Sequence, residues 1–312
     1  MRKDLFTCKN IYKANMHCHT VLSDGRCTPE EIKEIYRAKG YNIVAFTDHD
    51  ILKAHSYLND DNFLALNACE VAINQTRTEG KTWDRTSTYH LNLYASRADM
   101  TDTPPLPNID YDDTDAINKY IADRVNDGYL VCYNHPYWSL QTYNEYSKLK
   151  GCFAMEIYNH NCEVAEGYYG YNPQVYDEML RSSGKLYCFS TDDNHNAAPA
   201  DSAEYDSFGG FLYINSKSLS YEDVMKSLAD GDFYSSQGPE IYEIYLENDI
   251  LNIKCSPCDL IVVYTQGRKC YAKTGEGLTE ARFKLTGNEG YIRIMCRDTN
   301  GKDANSNAFW FN

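Results

Sequence analysis

The chain has 312 residues, 43% hydrophobic and 24% charged, an ordinary globular composition that supports a sizeable buried core in one large domain or in a large and a small one. A formal charge of −15 excludes broad electrostatic binding to nucleic acid, which rests on Lys and Arg displacing counterions from phosphates. The opening MRKDLFTCKNIYKAN lacks a signal-peptide core, and no later stretch approaches the ~20 apolar residues of a membrane span, so a soluble, cytoplasmic protein without a membrane partner is expected.

Taken in chain order, short apolar or β-branched runs read as strands: 14–18, 43–47, 63–71, 90–95, 130–134, 153–158 and 186–190. Amphipathic stretches separate several of them. In the clearest, Thr28 caps, Pro29 takes the first helical position and Gly40 stops the helix; residues 220–229 give another. This alternation implies an α/β fold with a mostly parallel sheet, open or closed into a barrel. From about Pro239 the pattern changes to short strands (241–246, 251–255, 260–265, 281–285, 291–297) separated by Gly, Asn, Asp and Pro turns. The expected division is a barrel over 1–238 and a small C-terminal β-sandwich over 239–312. Twelve cysteines scattered singly point to reduced thiols; Cys255 and Cys258 form the one close pair and are read as paired strand cysteines rather than half of a zinc site.

The histidines carry the functional signal. Six of the eight, His17, His19, His49, His90, His135 and His195, fall in or just after predicted strands, and Glu70, Glu156 and Asp193 occupy similar places. In a parallel α/β barrel the strand ends form one face, where sites are built. His17-Cys18-His19 puts two imidazoles on one side of an extended segment, and Asp193-Asn194-His195 repeats the spacing. A lone HxH is weak evidence, and a strand-end His more often satisfies a hydrogen bond than binds an ion. Six such positions beside carboxylates are improbable by chance, and imidazole with carboxylate suits Zn²⁺, Mn²⁺ or Fe²⁺.

These residues lie in NMHCHTVLSDGRCTPEEI, VAFTDHD, ACEVA, YHLNLY, NHP, MEIYN and STDDNH, and in that order the sequence resembles the PHP (polymerase and histidinol phosphatase) domain phosphoesterases over about residues 12–240. GDFYSSQGPEI, residues 231–241, resembles the segment that closes the domain in one bacterial branch. The resemblance implies a distorted (β/α)7 TIM-like barrel with a centre of two or three divalent metal ions. Carried over by motif, His17, His19, Glu70 and Asp193 would hold one ion, and Glu70 would bridge to a second on His90 and His135. A third would sit among Asp24, His49 and His195; some relatives have histidine in place of Asp24. Glu156 matches a position near the site and is not read as a ligand.

The expected activity is metal-dependent hydrolysis of a phosphomonoester of a small metabolite or nucleotide by metal-activated water, with Asp24 or His195 protonating the leaving group. Arg77, Lys81 or Arg85 is a candidate grip on a non-reacting phosphate, and Trp138 for stacking on a base or sugar. An oligonucleotide exonuclease or phosphodiesterase is the alternative enzyme, and a non-catalytic metal-bound sensing module the alternative of another class. The acidity of the chain favours a small phosphorylated substrate over stable nucleic-acid binding.

Overall fold

The computed structural model describes residues 2–76 and 82–311. The first half runs β1 (Arg2–Thr7), β2 (Ile11–Asn15), α1 (Pro29–Ala38), β3 (Ile43–Phe46), β4 (Leu64–Asn74), β5 (Thr88–Ala95), α2 (Thr114–Asn126), β6 (Tyr129–Tyr133), α3 (Tyr143–Tyr146) and β7 (Ala154–Asn159). It continues with α4 (Pro173–Ser182), β8 (Tyr187–Thr191), β9 (Phe211–Asn215), α5 (Tyr221–Asp230) and β10 (Phe233–Ser236). An all-strand segment follows: β11 (Ile241–Glu247), β12 (Ile250–Thr265), β13 (Tyr271–Lys284), β14 (Tyr291–Arg297), β15 (Asp303–Ser306) and β16 (Phe309–Trp310). No helix among the described residues is long and apolar enough to cross a membrane.

Local chemistry sets these elements. Helix α1 opens on a capping box in which Thr28 Oγ1 accepts from Glu31 N and Thr28 N donates to Glu31 (3.2 and 2.8 Å), with Pro29 inside the first turn. β3 and all but the end of β4 are buried on both faces, as expected for central strands. Ala14, Ile43, Leu66, Cys132, Ala154, Phe189 and Leu212, from separate strands, share one apolar cluster, so the sheet curls around a common interior.

The architecture is mixed α/β with one large sheet, but it is less parallel than expected. β2, β3 and β4 pair in parallel, as do β6, β7 and β8. β5 runs antiparallel to both β4 and β6, and β9 antiparallel to β2. The described part of the β4–β5 connection holds only a 3₁₀ turn at Trp83–Arg85, and antiparallel neighbours need no crossover helix. The hydrogen-bonded path ends at β8. An isolated bridge between Cys18 and Asn194 draws that end toward β2, with Asp193 N donating to His17 O (2.9 Å) and His19 N to Asn194 O (3.0 Å).

The N-terminal strand β1 pairs antiparallel with β11, so residues 2–7 lie with the C-terminal strands rather than with the elements that follow them in sequence. β12 fuses two expected strands into one of 16 residues. The two halves share more than a linker, because β15 pairs with β10 and Arg293, 1% exposed, makes a bidentate ion pair with Asp177 of α4 at 2.6 and 2.7 Å.

Candidate metal centre

One rim of the curled sheet gathers the polar residues. His17 and His19 follow β2, His49 follows β3, His135 follows β6 and Asp193 follows β8, while Glu70 lies within β4. His90 stands near the start of β5, yet because β5 is antiparallel its beginning meets the C-terminal ends of its neighbours, with His90 opposite Ala72. Strand direction therefore explains a position that a purely parallel sheet would put at the far rim.

Glu70 is the hub. Oε1 lies 2.9 Å from His90 Nδ1 and 3.3 Å from His135 Nε2. Oε2 lies 3.1 Å from His49 Nδ1 and 3.4 Å from both His17 Nε2 and His19 Nε2. Asp193 Oδ1 is 3.1 Å from His17 Nε2 and 3.0 Å from His19 Nε2. At the outer edge Asp24 faces His19 (3.6 Å), His49 (3.5 Å) and His195 (3.5 Å). Three groups have donor atoms within 4.8 Å of one another: His17, His19, Glu70 and Asp193; Glu70, His90 and His135; and His19, Asp24, His49 and His195. His19 thus faces two of them, where the family pattern gave it one. His55 and His160 stay apart, bonded to Tyr57 and Tyr158.

The supports are as specific as the donors. Glu156 accepts from His17 Nδ1 (2.7 Å), Thr191 Oγ1 (2.7 Å), His135 N (3.0 Å) and Asn159 Nδ2 (2.9 Å), which occupies its oxygens and orients the His17 ring. Asp48 accepts from Thr20 N and Ser23 Oγ, both at 2.8 Å, holding the turn that carries Asp24. A Cβ on Gly25 would lie 2.4 Å from the His19 carbonyl oxygen, so only glycine lets this turn close on His19. Asp192 turns away, accepting from Tyr36 OH (2.7 Å) and from the N–H groups of Phe208, Gly209 and Gly210. Asp193 has φ +54 and His135 φ +21, left-handed values that non-glycine residues adopt where surroundings over-determine them.

Charge in the cluster is one-sided. Among the described residues no Lys or Arg pairs with Asp24, Glu70, Glu156 or Asp193; their charged partners are histidines. Burial works against the His17 imidazolium, but Asp193, Glu70 and Glu156 outweigh it and hold its pKa well above the ordinary value. At His195 the same contest, with Asp24 the main opponent of burial, ends near 9. At His19 burial prevails and the value falls to about 4. Burial raises Asp24, Glu70 and Asp193, yet the surrounding imidazoles keep all three well below the usual carboxylate range.

The cluster floors a cavity of about 530 Å³ whose lining includes Trp83, Trp138, Asn161, Glu166 and Asp206. A neighbouring cavity of about 550 Å³ shares Trp83 and Trp138 and adds Tyr137 and Tyr169. The Trp138 ring sits 5.3 Å from His90 and 5.0 Å from His135. Arg85 is exposed on the Trp83–Arg85 turn and lines neither cavity, and Arg77 and Lys81 lie outside the described residues. Asp206, which accepts from His195 N at 2.7 Å, escaped the sequence reading because its segment shows no periodicity.

No family model matches the chain, and no curated protein does. Among solved structures it is similar to a two-domain protein from Bacteroides vulgatus that contains a predicted PHP-like metal-dependent phosphoesterase. Identity there is 15% and the TM-score 0.49, over 99% of this chain and 98% of that one. A protein from Bifidobacterium adolescentis, provisionally described as a metal-dependent phosphoesterase, matches at 13% identity and a TM-score of 0.39 over 61% and 90%. An amidohydrolase from Chromobacterium violaceum, with bound sulfate and no metal, matches at 14% identity and 0.38 over 60% and 88%.

Proposed function

We propose that the chain is a metal-dependent phosphoesterase of the PHP type that hydrolyses a phosphomonoester of a small metabolite or nucleotide. The observation that carries this reading is Glu70, a carboxylate 1% exposed that faces five imidazoles within 3.4 Å and has no Lys or Arg partner among the described residues. Buried carboxylates gathered this way are costly unless cations offset them. Imidazole nitrogens beside carboxylates that can bridge fit two or three Mn²⁺, Fe²⁺ or Zn²⁺ ions. His17, His19, Glu70 and Asp193 would hold one; Glu70, His90 and His135 a second; Asp24, His49 and His195 a third.

When bound, such ions supply Lewis acidity toward water and toward phosphoryl oxygens. The chain's own residues supply position and protons. Glu156 fixes the His17 ring by its 2.7 Å bond, leaving Nε2 for the interior. His195 gives its Nδ1–H to Asp193 O (2.8 Å), so Nε2 faces Asp24. Of the two candidates for the acid, His195, its pKa raised to about 9, stands where a departing oxygen can take its proton, whereas Asp24, with half its side chain exposed, is held ionised by the imidazoles and orients His195. Trp138 offers a face to a base or sugar, while Arg85 would have to swing in from the surface to reach a phosphate.

On this reading residues up to 238, apart from β1, are a distorted (β/α)7 barrel, residues from 239 together with β1 are a β-sandwich, and the protein is cytoplasmic. The motif series favours phosphate esters, and the charge of −15 favours a small substrate over an oligonucleotide. A phosphate-release screen of phosphorylated metabolites and short oligonucleotides, run with chelator and with Mn²⁺, Fe²⁺ or Zn²⁺ restored, tests it. Turnover of a phosphomonoester that chelation removes and metal restores is expected. Turnover surviving in a metal-stripped protein, or confined to oligonucleotides, would overturn it.

A further inference from the structure

β12 carries Cys255 and Cys258, and residues three apart on a regular strand face opposite sides of the sheet. Both are nonetheless buried, at 1% and 0% exposure. The pairing of β12 with β13 shifts register between Lys254 and Cys258, and again between Cys258 and Leu260. Ile253, Cys255, Ile261 and Val263 keep one alternation toward the interior, and the two shifts turn Cys258 inward against it. Exposed Pro257, within the first shift, has no N–H to give the ladder. Cys296 of β14, paired with Ile261 and fully buried, completes the group. One sulfur from each residue lies within 4.8 Å of the other two.

Thiols packed only for bulk need no such irregularity, whereas bulges recur where a side chain is re-aimed at a site. We propose that Cys255, Cys258 and Cys296 form a trithiolate site for a soft, low-coordinate d¹⁰ metal ion of the Cu(I) class, within the apolar core of the C-terminal strands and separate from the histidine–carboxylate centre. Thiolate sulfur selects soft ions. No fourth His, Cys, Asp or Glu among the described residues joins the group, which disfavours the four-coordinate structural site that Zn²⁺ prefers.

The test uses the full-length reduced protein, titrated without oxygen with Cu(I) and, separately, with Cd²⁺ as a spectroscopic probe. Sulfur-to-metal charge-transfer absorption should saturate at one equivalent per chain. It should vanish in Cys258→Ser and Cys296→Ser and persist in Cys270→Ser, whose cysteine is exposed. The three histidine–carboxylate groups contain no sulfur, and a band from Cys162, which lines the cavity above them, would survive in Cys258→Ser and Cys296→Ser. No charge-transfer band in the wild-type chain overturns the proposal even where a serine variant fails to fold, and so does a band that survives in folded Cys258→Ser and Cys296→Ser.

Discussion

His17 gives its Nδ1 to Glu156 at 2.7 Å, which decides that its Nε2, 3.1 Å from Asp193, is the nitrogen left for the centre. Glu156 therefore acts through His17. Replacing such a supporting carboxylate typically costs ~10–100-fold in metal affinity or activity. Glu156→Gln keeps the side chain's size and is expected to fold, with metal affinity lowered by about that factor and turnover recovering at high metal concentration. Metal titration and phosphate release on the purified variant check this; a variant with wild-type affinity would show that the ring is held by other contacts.

Asp192 and Asp193 are neighbours with opposite fates. Asp193 reaches His17 and His19, while Asp192 closes onto Tyr36 and three backbone N–H groups. Asp193→Ala should lose an ion and abolish turnover. Asp192→Asn should keep its metals and a measurable rate, with reduced stability because one of its acceptor oxygens becomes a donor facing donors. Metal content and rate measured side by side decide the ranking, and the reverse order would refute the assignment.

Most of this rim could be read from the sequence because HxH and DxH spacings survive any detail of the sheet. At Asp193 alternation is not the whole cause, however: period two points it inward, but the residue is left-handed at φ +54, and the bridge between Cys18 and Asn194 fixes its place. β5 was found with its direction unforeseen, since local periodicity does not say which way a strand runs. β9 and β10 were missed because FLYIN and FYSS are short and lie beside glycines. β1 was missed because its partner β11 lies more than two hundred residues away. Cys296 was not linked to Cys255 and Cys258 for the same reason: strand pairing over long separations leaves no local trace.

The contact between the halves makes Arg293 sensitive. Its guanidinium is 1% exposed, paired with Asp177 and set 4.1 Å from the Tyr264 ring. Asp177→Ala removes the counter-charge and leaves a buried cation unpaired, a change that typically costs ~3–5 kcal/mol. Chemical denaturation should show a loss of that order, and truncation at residue 239, which also strips β15 from β10, should leave the remainder insoluble. A loss within about 0.5 kcal/mol for Asp177→Ala, the size usual for surface changes, would mean water reaches the arginine.

Glu289 provides a pH signature far from the metal centre. Its carboxylate accepts from Thr286 N and Oγ1, each at 2.8 Å, from Gly287 N at 2.9 Å and from Tyr271 OH at 2.7 Å. Partial burial pushes its pKa up, but the Thr286 N–H and the other donors outweigh it and bring the value to about 2, against 4.5 for a free glutamate. The folded chain therefore holds this proton more weakly than the unfolded chain does. The stabilisation is complete above about 4.5, shrinks as pH falls and the unfolded state protonates first, and is gone near 2. Glu289→Gln removes the charge at every pH, so its deficit in unfolding free energy should be largest at pH 6 and narrow steadily between pH 4.5 and 2. Urea denaturation of both proteins across that window measures the gap. A deficit that stays constant or widens on acidification would mean that the four donors stabilise the turn by geometry, without regard to the charge they meet.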